Sequence, residues 1–466
     1  AVPAQYAYYN NKNIKKVILA NTITEIPQYA FYGSAVEEII VSGSLKTIGN
    51  YAFASSGLKK FTIQLGENEK SQLETIGQRS FLDCAQLTAF EIPTSVKKID
   101  SYAFAGAGLT SVTIPVNDEN SIASFNYSTF ANNLQLASVT LPDSMTSICD
   151  SMFMGCESLK TITLPANLEV IGPQAFSGTG ITEIVIPAGV TKLWGSSSAS
   201  SARNFQHCAE LTKVTFLGNI TEIGESAFEN CEKLSVLEFA NSTNRENGVI
   251  VFPETLTKIG NKSFMNSGLT GVVLHKDMVN IGTYTSLISN SCNGAFANSQ
   301  KLKYVEYNVK AVQAGEEAFR DCVALETVKF GSDVNVNALA SKYKYLMLNM
   351  FDGCISLKNV DLGGLKGIQK SMFKGCTSLT DITIPASVTE ILASSFEGSG
   401  ITNVTFADRT SKLTFGGSGE FKNCLSLTSF VFPEKSDLGT INASATKNIF
   451  EGCTNLTSVE FKNVMT

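Results

Sequence analysis

The chain has 466 residues, with 36 Lys and Arg against 42 Asp and Glu, for a net charge of −6. This mildly acidic balance lacks the clustered basic face of a nucleic-acid binder and argues against one. No run of 18 apolar residues occurs, so the sequence codes no transmembrane helix. The start at Ala1-Val2-Pro3 carries no signal-peptide pattern and suits a mature or trimmed end.

Residues 1–13 hold Tyr6, Tyr8 and Tyr9 and a polar turn, Asn10-Asn11-Lys12-Asn13. They are expected to cap the first coil of a repeat that begins at residue 14. The first strand pattern is Ile14, Val17 and Leu19. From there one pattern recurs, clearest over 159–176, LKTITLPANLEVIGPQAF. Its strand part, L-x-x-I-x-I, ends in apolar–polar alternation, as in Leu159, Ile162 and Leu164. Proline often follows, as at Pro165 and Pro385, and stops the ladder because it has no N–H. A return leg, apolar-x-x-Ile-Gly, comes next, as in Leu168, Ile171 and Gly172. Then comes a Phe, usually after Ala. Seventeen such Phe run from Phe31 to Phe450, many of them 22 or 23 residues apart, which marks the period. Two residues beyond stands Gly, Asn or Asp, with His207 and Ser55 completing the set. Those types point to a left-handed backbone at that position. Three residues beyond the Phe the side chain is small, and nine of the 11 Cys sit there.

A unit of about 23 residues cannot bury its own apolar side, whereas stacked units bury a continuous core. The expected fold is a β-rich solenoid, a single domain over 1–466 with about 17–18 coils and the Phe residues as an internal spine. Insertions break the period at 66–72, 116–124, 195–204, 240–248, 283–293, 331–350, 408–420 and 435–448, thickening after residue 194. Such loops cluster on one face of a repeat protein, often the binding face. Around 240–248 the flanking pieces, 237–239 and 249–252, suggest a small protruding hairpin. The last coil closes on Val459 and Phe461 without a capping segment, so the natural chain is expected to continue past Thr466.

Catalytic chemistry finds little to stand on. His207 falls at the left-handed position, and His275 follows a strand end where Pro often stands. No H-E-x-x-H, G-x-S-x-G or phosphate-loop motif occurs. The Asp and Asn that follow the Phe could be taken for calcium ligands. Gly fills the same position most often, however, and brings no side-chain oxygen. We therefore assign no catalytic residue, no cofactor and no metal site. The recurrent Cys read as inert structural thiols. Cys208 and Cys231, or Cys354 and Cys376, come within bridging range on adjacent coils, but their side chains should point in parallel. Cys149 and Cys292 are expected to be more exposed. Triplets such as Asn126-Tyr127-Ser128 and Asn241-Ser242-Thr243 match a glycosylation pattern that Asn- and Thr-rich repeats generate by chance.

The strand face is the best binding candidate. The residue between the last two apolar positions of each strand projects outward. Its early members are mostly Thr, as at Thr62, Thr113, Thr140 and Thr163, a choice that β-propensity explains. Its middle members are charged. Glu238, Glu306, Lys329 and Asp361, with Tyr304 beside Glu306, are the candidate partner-binding residues, against the plain alternative of solvated charge. Tyr307 is expected to add contact surface. Trp194, at the mouth of the 195–204 insertion, could stack on a sugar if exposed.

The frame L-x-x-I-x-I-P…I-G-x-x-A-F-x-x-C, repeated over essentially the whole chain, resembles the BspA-like class of bacterial leucine-rich repeats. The resemblance implies a right-handed leucine-rich-repeat superhelix with a parallel sheet on its concave face. It also implies a secreted or surface-attached bacterial protein that binds other molecules, often host proteins. The function expected is non-enzymatic binding or adhesion, by a monomer located extracellularly or on the bacterial cell surface. The partner would be a host or extracellular protein or glycan, recognised through the concave sheet and inserted loops. The alternatives are a spacer projecting another domain, and a glycan-acting enzyme with a carboxylate pair on the concave face.

Overall fold

In the computed structural model the described residues are 4–116, 124–193, 202–282, 294–309, 313–314, 316–332, 334, 347–438 and 448–462. They divide into two compact units, Ala1–Gly218 and Asn219–Thr466. Each is a β-rich leucine-rich-repeat solenoid. The strand pattern, the return leg and the Phe segment of the repeat each build a separate ladder from coil to coil.

In the first unit the strands Lys16–Ile18, Glu38–Ser42 and Lys60–Gln64 pair in parallel, as do Ser111–Thr113 and Ser138–Thr140. The register sets Thr113 beside Thr140, as the repeat alignment requires. The return legs form a second parallel sheet from Glu25–Ile26, Thr47–Ile48, Thr75–Ile76, Lys98–Ile99 and Ser124–Phe125. The glycine after the Ile is demanded by close approach. A Cβ on Gly49 would lie 2.7 Å from the Ile26 carbonyl oxygen, and one on Gly77 2.8 Å from that of Ile48.

In the second unit Val249–Val251, Gly271–Leu274, Tyr304–Tyr307, Thr327–Phe330 and Asn359–Asp361 form a five-stranded parallel sheet. Asp381–Ile384 pairs with Asn403–Phe406, and Ser429–Phe432 with Ser458–Phe461. The hairpin expected around 240–248 is not formed. Antiparallel contact there is confined to the single bridges Phe239–Ser242 and Arg245–Val249, while Val249–Val251 runs parallel to the next coil's strand. Ile250 and Phe252 are each 1% exposed, and burying them in the stack outweighs projecting them into water.

Among the described residues the third ladder contains no β-strand. The N–H groups of Tyr29, Phe31 and Gly33 donate to the carbonyls of Asn50, Ala52 and Ala54 at 3.1, 2.7 and 2.8 Å. The same triplet recurs at Glu317, Phe319 and Asp321, donating to Leu348, Met350 and Asp352. The residue two beyond the Phe has positive φ in all seventeen copies, as expected. The residue two before it is also left-handed in most coils, at Tyr29, Arg79, Ser151, Gln174 and Lys262 for example. Two left-handed residues four apart aim alternate N–H groups at the next coil. Residue type announces only one of them.

The Phe side chains form a buried column in each unit. Ring centroids of consecutive coils lie from 5.0 Å (Phe81–Phe104) to 6.0 Å (Phe130–Phe153) apart, with the planes nearly parallel. In the second unit the column runs from Phe228 on Phe264, at 5.5 Å, to Phe421 on Phe450, at 5.9 Å. At the start of the first unit Tyr8 stacks on Phe31 at 5.0 Å. The N–H groups of Tyr8 and Asn10 donate to Ala30 and Tyr32, so 4–13 carry the Phe segment with Tyr in the column.

The small position after the Phe supplies a donor as well as low volume in many coils, although Ala107 fills it after Phe104. Cys84 Sγ donates to the Phe53 carbonyl at 3.0 Å, and Cys322 to Phe296 at 3.2 Å. Ser299 and Asn133 do the same for Phe264 and Phe104. The ten described cysteines are free thiols. Burial pushes the thiols of Cys84 and Cys156 up to about 12. Cys149 is half-buried and donates to the Asn126 carbonyl at 3.1 Å, whereas Cys292 and Trp194 lie outside the described residues.

Candidate binding face of the strand sheet

Parallel pairing places Val273, Glu306, Lys329 and Asp361 side by side across four strands. They share the outward face because their neighbours Val305 and Val328 are fully buried and side chains alternate along a strand. Glu238 is exposed, but it lies on Val236–Phe239, outside this five-stranded sheet. Tyr307 departs from expectation. It is 0% exposed, with its ring 5.8 Å from that of Phe330 and its hydroxyl lacking a hydrogen-bond partner among the described residues. Strand parity turns it inward, so it adds core volume and no contact surface.

Glu306 is held by a network. Arg245 Nη1 donates to Glu306 Oε2 at 2.8 Å and Nη2 to Oε1 at 3.2 Å. The Tyr304 hydroxyl donates to Oε2 at 2.9 Å, and Asn308 Nδ2 to Oε1 at 3.0 Å. Partial burial by itself would raise the Glu306 pKa. The Arg245, Asn308 and Tyr304 donors overcome that and carry it to about 2. The Tyr304 phenol is pushed upward by burial and by its carboxylate neighbour. Lys329 Nζ sits 5.9 Å from the centre of the Tyr304 ring, and among the described residues it makes no ion pair.

From Lys329 the face opens into a groove of about 860 Å³ that crosses four coils. Lys329, Asp361, Thr383 and Thr405 line it at the outward position between the last two apolar residues of each strand. Thr327, Asn359, Asp381 and Asn403 line it at the outward position two residues earlier. All but Thr327 are exposed, so the groove is shallow and wet. The strands Asn359–Asp361 and Asp381–Ile384 belong to separate sheets, and the groove spans that break.

Sequence reasoning missed two kinds of residue here. Asn359, Asp381 and Asn403 share the outward parity of Asp361, Thr383 and Thr405, so counting back two residues would have found them. Arg245 lies 61 residues from Glu306 on an insertion, and no local signal links them. His275 is occupied by the backbone, with Nε2 2.8 Å from the Leu256 carbonyl and Nδ1 accepting from the Asp277 N–H. His207 has φ 62, as its turn position requires. Among the described residues no three His, Cys, Asp or Glu converge to hold a metal, and no helix is long and apolar enough to cross a membrane.

The family model for the BspA type leucine rich repeat region, in 6 copies, matches residues 4–121, 74–202, 198–291, 285–342 and 344–466. The chain belongs to the BspA-type leucine-rich repeat family. Among solved structures, this BspA-type protein is similar to a leucine-rich repeat protein from Bacteroides ovatus. That match has 18% identity over 97% of this chain and 92% of that one, with a TM-score of 0.47. A leucine rich cell surface protein from Faecalibacterium prausnitzii matches at 19% identity over 96% of this chain and 88% of that one, with a TM-score of 0.33. A leucine-rich repeat protein from Eubacterium ventriosum matches at 19% over 84% of both chains, with a TM-score of 0.31. No curated protein matches the chain. Membership of the BspA-type family rests on the repeat itself, and these distant likenesses add no function to it.

Proposed function

We propose that this BspA-type chain is a non-enzymatic binding or adhesion protein, exposed on a bacterial surface or secreted, and monomeric. It recognises an extracellular protein or glycan along the strand face of the unit Asn219–Thr466. The carrying observation is the groove from Lys329 to Thr405, where exposed Lys, Asp, Asn and Thr side chains stand in two regular rows. A shallow wet surface of this kind suits an extended partner held by many polar contacts. Its two carboxylates, Asp361 and Asp381, are open to solvent and accept from the Gly363 N–H and the Thr380 hydroxyl. That is far from the water-excluded setting in which paired carboxylates do acid–base work.

The test is a binding screen of the purified chain against matrix proteins and glycans, repeated with Lys329→Glu, Asp361→Lys and Thr383→Arg. A ligand whose affinity drops for these variants at unchanged melting temperature supports the reading. Ligands that bind all three as tightly as the parent chain would sink it.

A further inference from the structure

A second feature stands out on the first unit, on the Phe segment and away from the strand face. Tyr6, Tyr29, Tyr51, Arg79 and Tyr102 each lie two residues before a member of the buried aromatic column. All five have a left-handed backbone, with φ between 53° and 62°. Their side chains stack into one line. Tyr6 and Tyr29 lie 5.1 Å apart and Tyr29 and Tyr51 4.8 Å apart, in both cases nearly parallel. The Arg79 guanidinium continues the line, 5.5 Å from the Tyr51 ring centre and 4.9 Å from that of Tyr102. Tyr127 closes it edge-on to Tyr102 at 5.2 Å.

The fold does not ask for these residues. The same left-handed position carries Ser128, Ser151, Gln174, Ser226, Ser371 and Ser394 in other coils. The positive φ itself belongs to the ladder, but a bulky residue there costs more than the Ser that serves in other coils. Arg79 is equally unforced. One Nη donates to the Tyr51 hydroxyl, and no carboxylate among the described residues pairs with it. Arg245 and Arg320, in contrast, both meet acids. A guanidinium held beside two rings, with one Nη on the Tyr51 hydroxyl, keeps the rest of its planar donor fork for a carboxylate from outside.

We propose that this line of Tyr side chains around Arg79 binds an acidic polysaccharide. Face-to-face stacking of Tyr6, Tyr29 and Tyr51 covers ring faces and leaves ring edges and phenol hydroxyls, that of Tyr51 already on Arg79, as the groups a ligand can meet. A sugar chain meets such a surface with its own hydroxyls, whereas a protein anchor seeks a deep desolvated pocket. The residues recur once per coil, about 5 Å from ring to ring where they stack, which fits a ligand that also repeats along its length. Arg79 supplies the charge selection, one uronate carboxylate on the fork. This site is independent of the groove on the second unit, and either can fail without the other.

Affinity electrophoresis and calorimetry with polygalacturonate and its methyl-esterified form test it on the full chain. The acidic polymer should bind, and the esterified form should bind roughly tenfold more weakly. Arg79→Gln should lose a similar factor, and Arg79→Lys, which keeps the charge without the fork, should fall between. Tyr29→Ser and Tyr51→Ser install a residue that other coils accept at this position, so they should weaken binding while unfolding stays cooperative. The proposal is overturned if the acidic polymer fails to bind, if Arg79→Gln binds it as well as the parent, or if poly-glutamate binds equally well.

Discussion

Arg245 and Glu306 form a two-pronged ion pair between an insertion and the sheet, with Nη–Oε distances of 2.8 and 3.2 Å. The pair ties the 240–248 segment down onto the strand face. Glu306 is therefore committed inside the molecule, and Lys329 is the first residue of the row left open to a partner.

That commitment has a pH signature. The Glu306 pKa is about 2 in the folded chain against an ordinary 4.5. A depressed carboxylate contributes stability that is fully present above 4.5 and is lost as pH falls towards 2. Because Arg245 is largely exposed, the contribution is on the order of 1–2 kcal/mol after screening. Denaturant melts of Glu306→Gln and the parent chain should differ by that amount at pH 6 and converge only as pH falls through about 2.

The glycines two beyond the Phe separate into two classes. A Cβ on Gly155 would fall on Asn132 Oδ1 of the preceding coil, while one on Gly398 meets nothing within 4 Å among the described residues. Both have positive φ. Gly398→Ala should cost about 1 kcal/mol from backbone strain alone. Gly155→Ala should cost about 2–3 kcal/mol, with the excess recovered in Asn132→Gly/Gly155→Ala. Chemical denaturation of the four chains reads both terms, and equal costs for the two single variants would count against the clash.

The column thiols offer a third check. Cys322→Ser keeps a donor for the Phe296 carbonyl and should be nearly neutral. Cys322→Ala removes that donor and leaves the Phe296 carbonyl with only the Ser299 N–H, at 3.3 Å, and should cost about 1 kcal/mol. The thiols of Cys84 and Cys156, pushed to about 12, should resist a thiol reagent at pH 8 until the chain unfolds. Their pKa values are raised above the ordinary 9, so the stability linked to them is complete below 9 and falls as pH climbs from 9 towards 12. An alkaline melting series should show that loss.

Within the aromatic column the cost of truncation should follow burial. Phe264 is fully buried, and Phe264→Ala should cost about 3–5 kcal/mol. Phe450 is half-buried, and Phe450→Ala should cost clearly less. Equal destabilisation, read by thermal or denaturant unfolding, would show that the column does not act as a buried spine.

Much of the fold is legible in the chain because each position of a coil has one local task. Phe, apolar Ile and Leu, Gly after Ile, and Gly or Asn after Phe each report burial, close approach or handedness. The second left-handed position stays hidden, since Tyr29, Arg79 and Ser151 meet it with side chains that give no sign of their backbone. The donor role of the small position is also silent, because Cys reads as small before it reads as a donor. At the candidate site, the outward row from Glu306 to Asp361 follows from strand parity. Tyr307 offers no contact surface through the same parity, being one residue further along and facing the core.

The sequence by itself determined the repeat, the stacked coils, the Phe spine and the outward row, because these depend on period and on side-chain character at fixed spacing. Only the tertiary structure decided which outward residues stay open to a partner. Glu306 is closed off by Arg245, the groove runs from Lys329 to Thr405, and Arg79 lies between Tyr51 and Tyr102. Those contacts join residues tens of positions apart across coils and insertions, where distance in space is set by stacking and not by the local pattern.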